Sequence, residues 1–275
     1  IQPHLIEGIL PQGVTILAGA PKARKSFLAM EWALCIASNV PFAGIYPVIS
    51  TQVLYLCLDT DANEIHDRVD SVFNYAGWNS DRIHFVYECQ PDNLNGIFMF
   101  LASHPEIKLL VIDTIAWIRS NTKGGNVYLD DYHFMAKFKR LFSGMGVSSL
   151  LIHHTRKAES LNFMDDVSGS RGMTGGAHTI LTLVKTGDIS TLRGSGNKLK
   201  EDVMLKFQLM NGYKPMTEFI TIREKILGVI SEEPQHYKSI AQQLGQNPGS
   251  IATILSRMVK DGLIQRGGIA LFVKC

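Results

Sequence analysis

Apolar residues in the first two thirds of the chain fall into short unbroken runs, and between those runs the apolar spacing is helical. Val14–Gly19 is a β-prone run that ends in a glycine, and residues 27–38 continue it with a helix-like pattern. Residues 53–59, 83–87, 109–113 and Ser148–His154 read as further strands. Helices are predicted from Asp61, over Leu94–Ser103 and over residues 128–144, with a Gly- and Asn-rich loop before the last. Strands that are apolar throughout, instead of alternating, belong to sheets covered on both faces. Their alternation with helices predicts an α/β domain with a mainly parallel sheet, its ligands lying off the C-terminal strand ends.

The pattern changes twice further on. Residues 155–176 are polar and glycine-rich, a length at which a loop is usually functional. Residues 179–185, 189–192 and Val203–Met210 look like strands whose hairpins extend the sheet in antiparallel fashion, with a basic turn over residues 193–200. Residues 219–231, 237–245 and 248–262 then read as three helices, and 263–273 as two strands around a Gly267-Gly268 turn. Three helices with a tight turn between the last two, followed by a hairpin, predict a winged helix-turn-helix. The expected division is a domain of residues 1–215 and a second of 216–275. In the second, the recognition helix would present Ser250, Thr253, Arg257 and Lys260, with Arg266 on the wing. These are few cations for phosphate neutralisation, so the partner of this domain could be DNA or protein.

Composition narrows the class without deciding it. The 275 residues are 45% hydrophobic, enough for one large core and a small second domain. A net charge of +2 gives no bulk attraction to nucleic acid, so such contacts must come from local clusters. Cys35, Cys57, Cys89 and Cys275 show no metal-ligand spacing and read as reduced thiols of a cytoplasmic protein. No apolar run approaches membrane-spanning length.

The candidate chemistry begins at Gly19, Ala20, Pro21, Lys22, Ala23, Arg24, Lys25, Ser26 and Phe27. A strand, a glycine loop and Lys-Ser opening a helix match the phosphate-binding pattern G-x-x-x-x-G-K-[ST], in which the lysine reaches phosphate and the serine holds Mg²⁺. A plain helix start would also explain Lys-Ser after a glycine; the downstream acid tips the reading towards nucleotide. Arg24 stands where the pattern has its second glycine, which requires a backbone near the helical region and a side chain pointing outward. Asp113 ends an apolar strand and is the candidate Walker B acid, completing the Mg²⁺ site with Ser26. Asp59 ends another strand at the same level. His153 and His154 end the strand after that, and one of the two could report a γ-phosphate, since neighbours on a strand face opposite sides. Metal ligation by the pair lacks a third ligand.

Together, residues 19–26, Leu58-Asp59-Thr60-Asp61, residues 109–114, residues 151–157 and Gly169-Ser170-Arg171-Gly172 resemble the RecA-like AAA ATPases of the RepA type, hexameric plasmid replicative helicases. The similarity spans roughly residues 1–210, and the winged helix stands outside it. It implies a homo-hexameric ring that binds ATP with Mg²⁺ between subunits and single-stranded DNA in its channel. Lys25, Asp59, Asp113 and His154 would then be catalytic, Asp59 taking the place of the usual glutamate base, and His153 or His154 would be the sensor. Arg171, Arg193, Lys198 and Lys200 would be candidates to act on a neighbour's site, with Asn197 where an arginine is usual. Lys123, Arg156 and Lys157 would join the second-domain residues as DNA contacts, and duplex DNA could meet the winged helix. Two alternatives stay open: a nucleotide-binding regulatory DNA-binding protein with little hydrolysis, and a recombination accessory ATPase of the RecA or RadA kind.

Overall fold

The computed structural model describes residues 4–72, 78–118, 127–154, 171–199, 202–210, 212–215 and 222–274. The chain divides into two compact units, Ile1–Thr217 and Glu218–Cys275.

Unit 1 begins with a two-stranded hairpin, β1 (His4–Ile6) and β2 (Leu10–Pro11). There follow β3 (Val14–Gly19), α1 (Lys25–Ser38), β4 (Gln52–Cys57), α2 (Ala62–Val72), β5 (Ile83–Val86), α3 (Leu94–Ser103), β6 (Ile107–Asp113), α4 (Ile115–Ile118), α5 (Val127–Phe142) and β7 (Ser148–His154). A short helix α6 (Arg171–Gly176) leads to four strands, β8 (Thr179–Thr186), β9 (Ile189–Gly196), β10 (Val203–Met210) and β11 (Gly212–Pro215). Nine strands form one sheet in the order β11-β10-β9-β8-β3-β7-β6-β4-β5. From β8 to β5 every pairing is parallel; β9, β10 and β11 extend it antiparallel.

Both faces of the sheet are covered, which is why its central strands read as unbroken apolar runs. Ile16, Ala18, Leu54, Leu56, Leu110, Ile112 and Leu151 pack in one cluster with Leu101 of α3 and with Phe134, Phe138 and Phe142 of α5. Their strand neighbours Leu17, Val53, Tyr55, Leu109 and Val111 are also buried and point the other way, towards α1, which packs on β3, β4 and β6.

Three sequence expectations are corrected here. Residues 155–170 lie outside the described residues, but Arg171–Gly176, expected as loop, is helical. Its glycines permit close packing on α5: a Cβ at Gly176 would stand 2.4 Å from Met135 Cβ. Arg193 lies in strand β9, not in a turn, opposite Thr182 on β8 and Met204 on β10. Gly194 and Gly196, which signal a turn in the sequence, instead let neighbouring strands approach, since Cβ atoms there would meet Leu181 Cδ2 at 2.3 Å and the His178 carbonyl at 2.4 Å. In unit 2 the wing turns at Ile269 and Ala270, with Gly267 and Gly268 still in strand.

Unit 2 holds α7 (Ile222–Val229), β12 (Gln235–His236), α8 (Tyr237–Leu244), α9 (Pro248–Lys260), β13 (Ile264–Gly268) and β14 (Leu271–Lys274). The strands form an antiparallel sheet in the order β12-β14-β13. Asn247 caps α9 by accepting from the Gly249 and Ser250 amides, with Pro248 at the first helical position. Ile251, Ile254, Leu255 and Met258 then face inward against Ile226, Ile240 and Phe272. The opposite side of α9 leaves Thr253, Arg257 and Lys260 exposed and Ser250 half-buried.

Candidate functional site

Four adjacent strands of the sheet deliver the candidate residues to one edge. In the order β3, β7, β6, β4, their C-terminal ends carry Gly19, His154, Asp113 and Cys57, with Asp59 two residues beyond the last. Register fixes the levels, pairing Gly19 with His154 and Cys57 with Asp113.

The loop after β3 turns sharply. A Cβ at Gly19 would stand 2.5 Å from the Leu183 carbonyl, so no other residue fits there. The Ala23 amide donates back to the Ala20 carbonyl, while Ala20, Pro21 and Lys22 are exposed. Arg24, at φ 68° and ψ 28°, occupies the left-handed region and not the helical one expected, as does Lys22 at φ 65°. The turn therefore keeps the shape that glycine would give it, at a cost of roughly 1 kcal/mol for the arginine. Nor does the Arg24 side chain simply point outward: it is half-buried, and its Nη1 is enclosed with no hydrogen-bond partner among the described residues.

Lys25 opens α1 and is buried. Its Nζ donates to the Gly19 and Ala20 carbonyls, both at 2.9 Å, and lies 3.1 Å from His154 Nδ1. An ammonium can only donate, so Nδ1 accepts and the proton of the neutral imidazole sits on Nε2, which is 3.9 Å from Asp59 Oδ2. Burial and the adjacent ammonium hold His154 below its ordinary pKa. Burial likewise pushes Lys25 down to about 8, against the pull of Asp113 and then Asp59. Asp113 is buried and accepts from the Tyr55 hydroxyl at 3.3 Å. Asp59 is exposed and accepts from Trp117 Nε1 at 3.3 Å. Ser26 and Phe27 stand half-buried on the first turn of α1, whose amides face out of the helix N-terminus.

This edge suits a polyphosphate with a divalent ion. It offers a curled loop, first-turn amides, a buried cation that can exchange carbonyls for phosphate, and a buried acid for a hydrated Mg²⁺ beside Ser26. Among the described residues no group of three His, Cys, Asp or Glu is placed to hold a metal alone, so an ion at this edge would share its ligands with phosphate and water.

His153 faces away from this cluster, as alternation along β7 requires. Lys198 lies near His178, which accepts from the Val14 amide at the opposite end of β3, so it stands at the far edge of the sheet from its own phosphate loop. Lys123, Arg156, Lys157 and Lys200 lie outside the described residues. Sequence reasoning missed Tyr55, Trp117, Glu31 and Tyr213. Glu31 is a lone acid within an apolar helical run, a detectable signal; the others look like ordinary core or surface aromatics.

Residues 1–160, more than half of the chain, match the family model AAA_25, described as an AAA domain. The chain belongs to that family. Among solved structures, this AAA domain is similar to a DnaB-like replicative helicase described with its interactions with primase, with a TM-score of 0.59 and 10% identity; 74% of this chain covers 57% of that one. It is also similar to the KaiC-like protein PH0186 from Pyrococcus horikoshii OT3, with a TM-score of 0.53 and 19% identity over 77% and 93% of the two chains. A third similar structure is a separately solved ATPase domain, at TM-score 0.59 and 10% identity over 74% of this chain and 85% of that one. No curated protein matches. At these identities the likeness is one of fold, and that fold is the RecA-like P-loop core.

Proposed function

We propose that the protein is an ATP-dependent, oligomeric DNA helicase or translocase of the RepA type, acting in replication or a related DNA transaction. The observation that carries this reading is the convergence of Lys25, His154, Asp113 and Asp59 at one sheet edge. Lys25 would leave the Gly19 and Ala20 carbonyls for the β- and γ-phosphates of ATP. Ser26 and Asp113 would hold Mg²⁺, which neutralises charge on the transferred phosphoryl group. Asp59 would orient and deprotonate the attacking water, and His154, tied to Lys25, would sense the γ-phosphate. The likeness to an ATPase domain and to a DnaB-like replicative helicase supports a ring, a hexamer by the RepA reading, with Arg171, Arg193, Lys198 or Lys200 serving a neighbour's site. In that ring Lys123, Arg156 and Lys157 would face single-stranded DNA. Unit 2 would act as a winged helix, α9 and Arg266 meeting duplex DNA or a partner protein. A cytoplasmic setting agrees with the reduced thiols of Cys35, Cys57 and Cys89. Among the described residues no helix is long and apolar enough to cross a membrane.

The bond from Trp117 to Asp59 favours a second reading, in which ATP binds without turnover and the protein is a nucleotide-responsive regulator. ATP hydrolysis with and without single-stranded DNA separates the two. Hydrolysis stimulated by the strand is expected; ATP binding with no turnover, stimulated or basal, would transfer the case to the regulator.

A further inference from the structure

The left-handed Arg24 is held by a strand from the far end of the unit's sequence. The Tyr213 hydroxyl, on β11, donates to the Arg24 carbonyl at 3.3 Å, the same carbonyl that accepts the first helical bond of α1 from Leu28 at 3.1 Å. Tyr213 is itself fixed from α1: its amide donates to Glu31 Oε2 at 2.8 Å. Glu31 lies seven residues, or two turns, beyond Arg24 on the same side of the helix. The β10–β11 turn is shaped to this carboxylate, since Gly212, at φ 84°, would bring a Cβ to 3.1 Å from Glu31 Oε1. All three side chains sit in protected surroundings: Tyr213 and Glu31 are buried, and Arg24 is half-buried. The Phe207 and Tyr213 rings meet edge to face, 5.9 Å between centroids, and hold the phenol in place. Ser190 on β9 is the hydroxyl's other neighbour.

We propose that Tyr213, seated by Glu31, is a positioning residue that clasps the phosphate loop in the turn Arg24 resists, so that the β10–β11 hairpin sets the affinity for the triphosphate. This rests on the reading of the loop as a nucleotide site. A glycine at this position would adopt the turn without help; an arginine there prefers negative φ, and the hydroxyl bond to its carbonyl opposes that relaxation. Glu31, a buried acid far from the phosphates, gains a role that the chemistry at the strand ends does not give it.

The test is a double-mutant cycle on the full chain with Tyr213→Phe and Arg24→Gly, read twice: by the thermal unfolding midpoint without ligand, and by Mg·ATP affinity. With Arg24 present, Tyr213→Phe is expected to lower the unfolding midpoint and to weaken Mg·ATP binding about fivefold, the worth of one buried hydrogen bond. In the Arg24→Gly background both effects shrink towards nothing, a rescue that a merely structural phenol would not show. Glu31→Leu should reproduce Tyr213→Phe, and Glu31→Gln, which keeps an acceptor for the Tyr213 amide, should not. Equal effects of Tyr213→Phe in both backgrounds, or no coupling in the ligand-free midpoint, overturn the clasp. Wild type that binds no Mg·ATP overturns the nucleotide reading instead, and the ligand-free cycle still decides whether Tyr213 holds the turn.

Discussion

Lys25 Nζ lies 3.1 Å from His154 Nδ1, so the imidazole that ends β7 is the third partner of the buried ammonium that opens α1. Burial lowers the tendency of both groups to carry charge, and the ammonium lowers that of the imidazole further. Proton binding at this edge is therefore linked to whatever anion enters it.

The first prediction concerns pH. Lys25 without ligand titrates at about 8, whereas phosphate favours its charged form and raises that value. Mg·ATP affinity should fall as pH rises above about 8, and binding at a pH just above that value should take up a proton. Calorimetric titration in two buffers of different ionisation enthalpy measures that uptake. A lysine left uncharged when ATP binds would give none.

A second pH effect belongs to Glu31, whose carboxyl is pushed up to about 8 by burial, against an ordinary value of 4.5. Its folded pKa is the higher, so the native state holds an extra proton between those values. The stability it contributes is complete below pH 4.5 and is lost as pH rises through about 8. In Glu31→Gln this dependence disappears. Relative to the variant, wild type should lose stability across that window, by at most roughly 1.4 kcal/mol per pH unit, in denaturant titrations.

Catalysis and binding should separate at Asp59 and His154. Asp59→Asn is expected to reduce ATP turnover by roughly a hundredfold or more while Mg·ATP still binds, because a base acts on the water and not on the bound phosphates. His154→Ala should slow turnover by roughly a hundredfold, as expected for a lost transition-state donor, with a smaller change in affinity. Steady-state turnover beside equilibrium binding reads both.

The strand ends were legible because apolar runs closed by Asp or His are unmistakable, and β7 and α3 form over the residue ranges their pattern predicts. Arg24 was misread for a physical reason: side-chain identity reports intrinsic backbone preference, and the contact that overrides it comes from Tyr213, 189 residues away. The glycines at 194 and 196 misled similarly, since close approach of a neighbouring strand and a turn both call for a missing Cβ. Between His153 and His154, strand alternation required a choice, and pairing of Gly19 with His154 makes it.

For unit 2, Arg257 and Lys260 are exposed on α9, and Arg266 on β13 has its guanidinium 6.0 Å from the Phe272 ring centroid. If that face meets DNA, Arg257→Ala and Arg266→Ala should each weaken duplex binding and lower the salt slope by about one. Fluorescence anisotropy across a salt series measures this. Unchanged slopes in both variants would reassign the face to a protein partner.

The account turns on the phosphate loop, and the most direct measurement is equilibrium binding of Mg·ATP to wild type and to Lys25→Ala. Saturable binding is predicted for wild type, with a loss of roughly a hundredfold in the variant, the worth of charge-assisted hydrogen bonds to phosphate. No binding by wild type, or equal binding by both proteins, would contradict it.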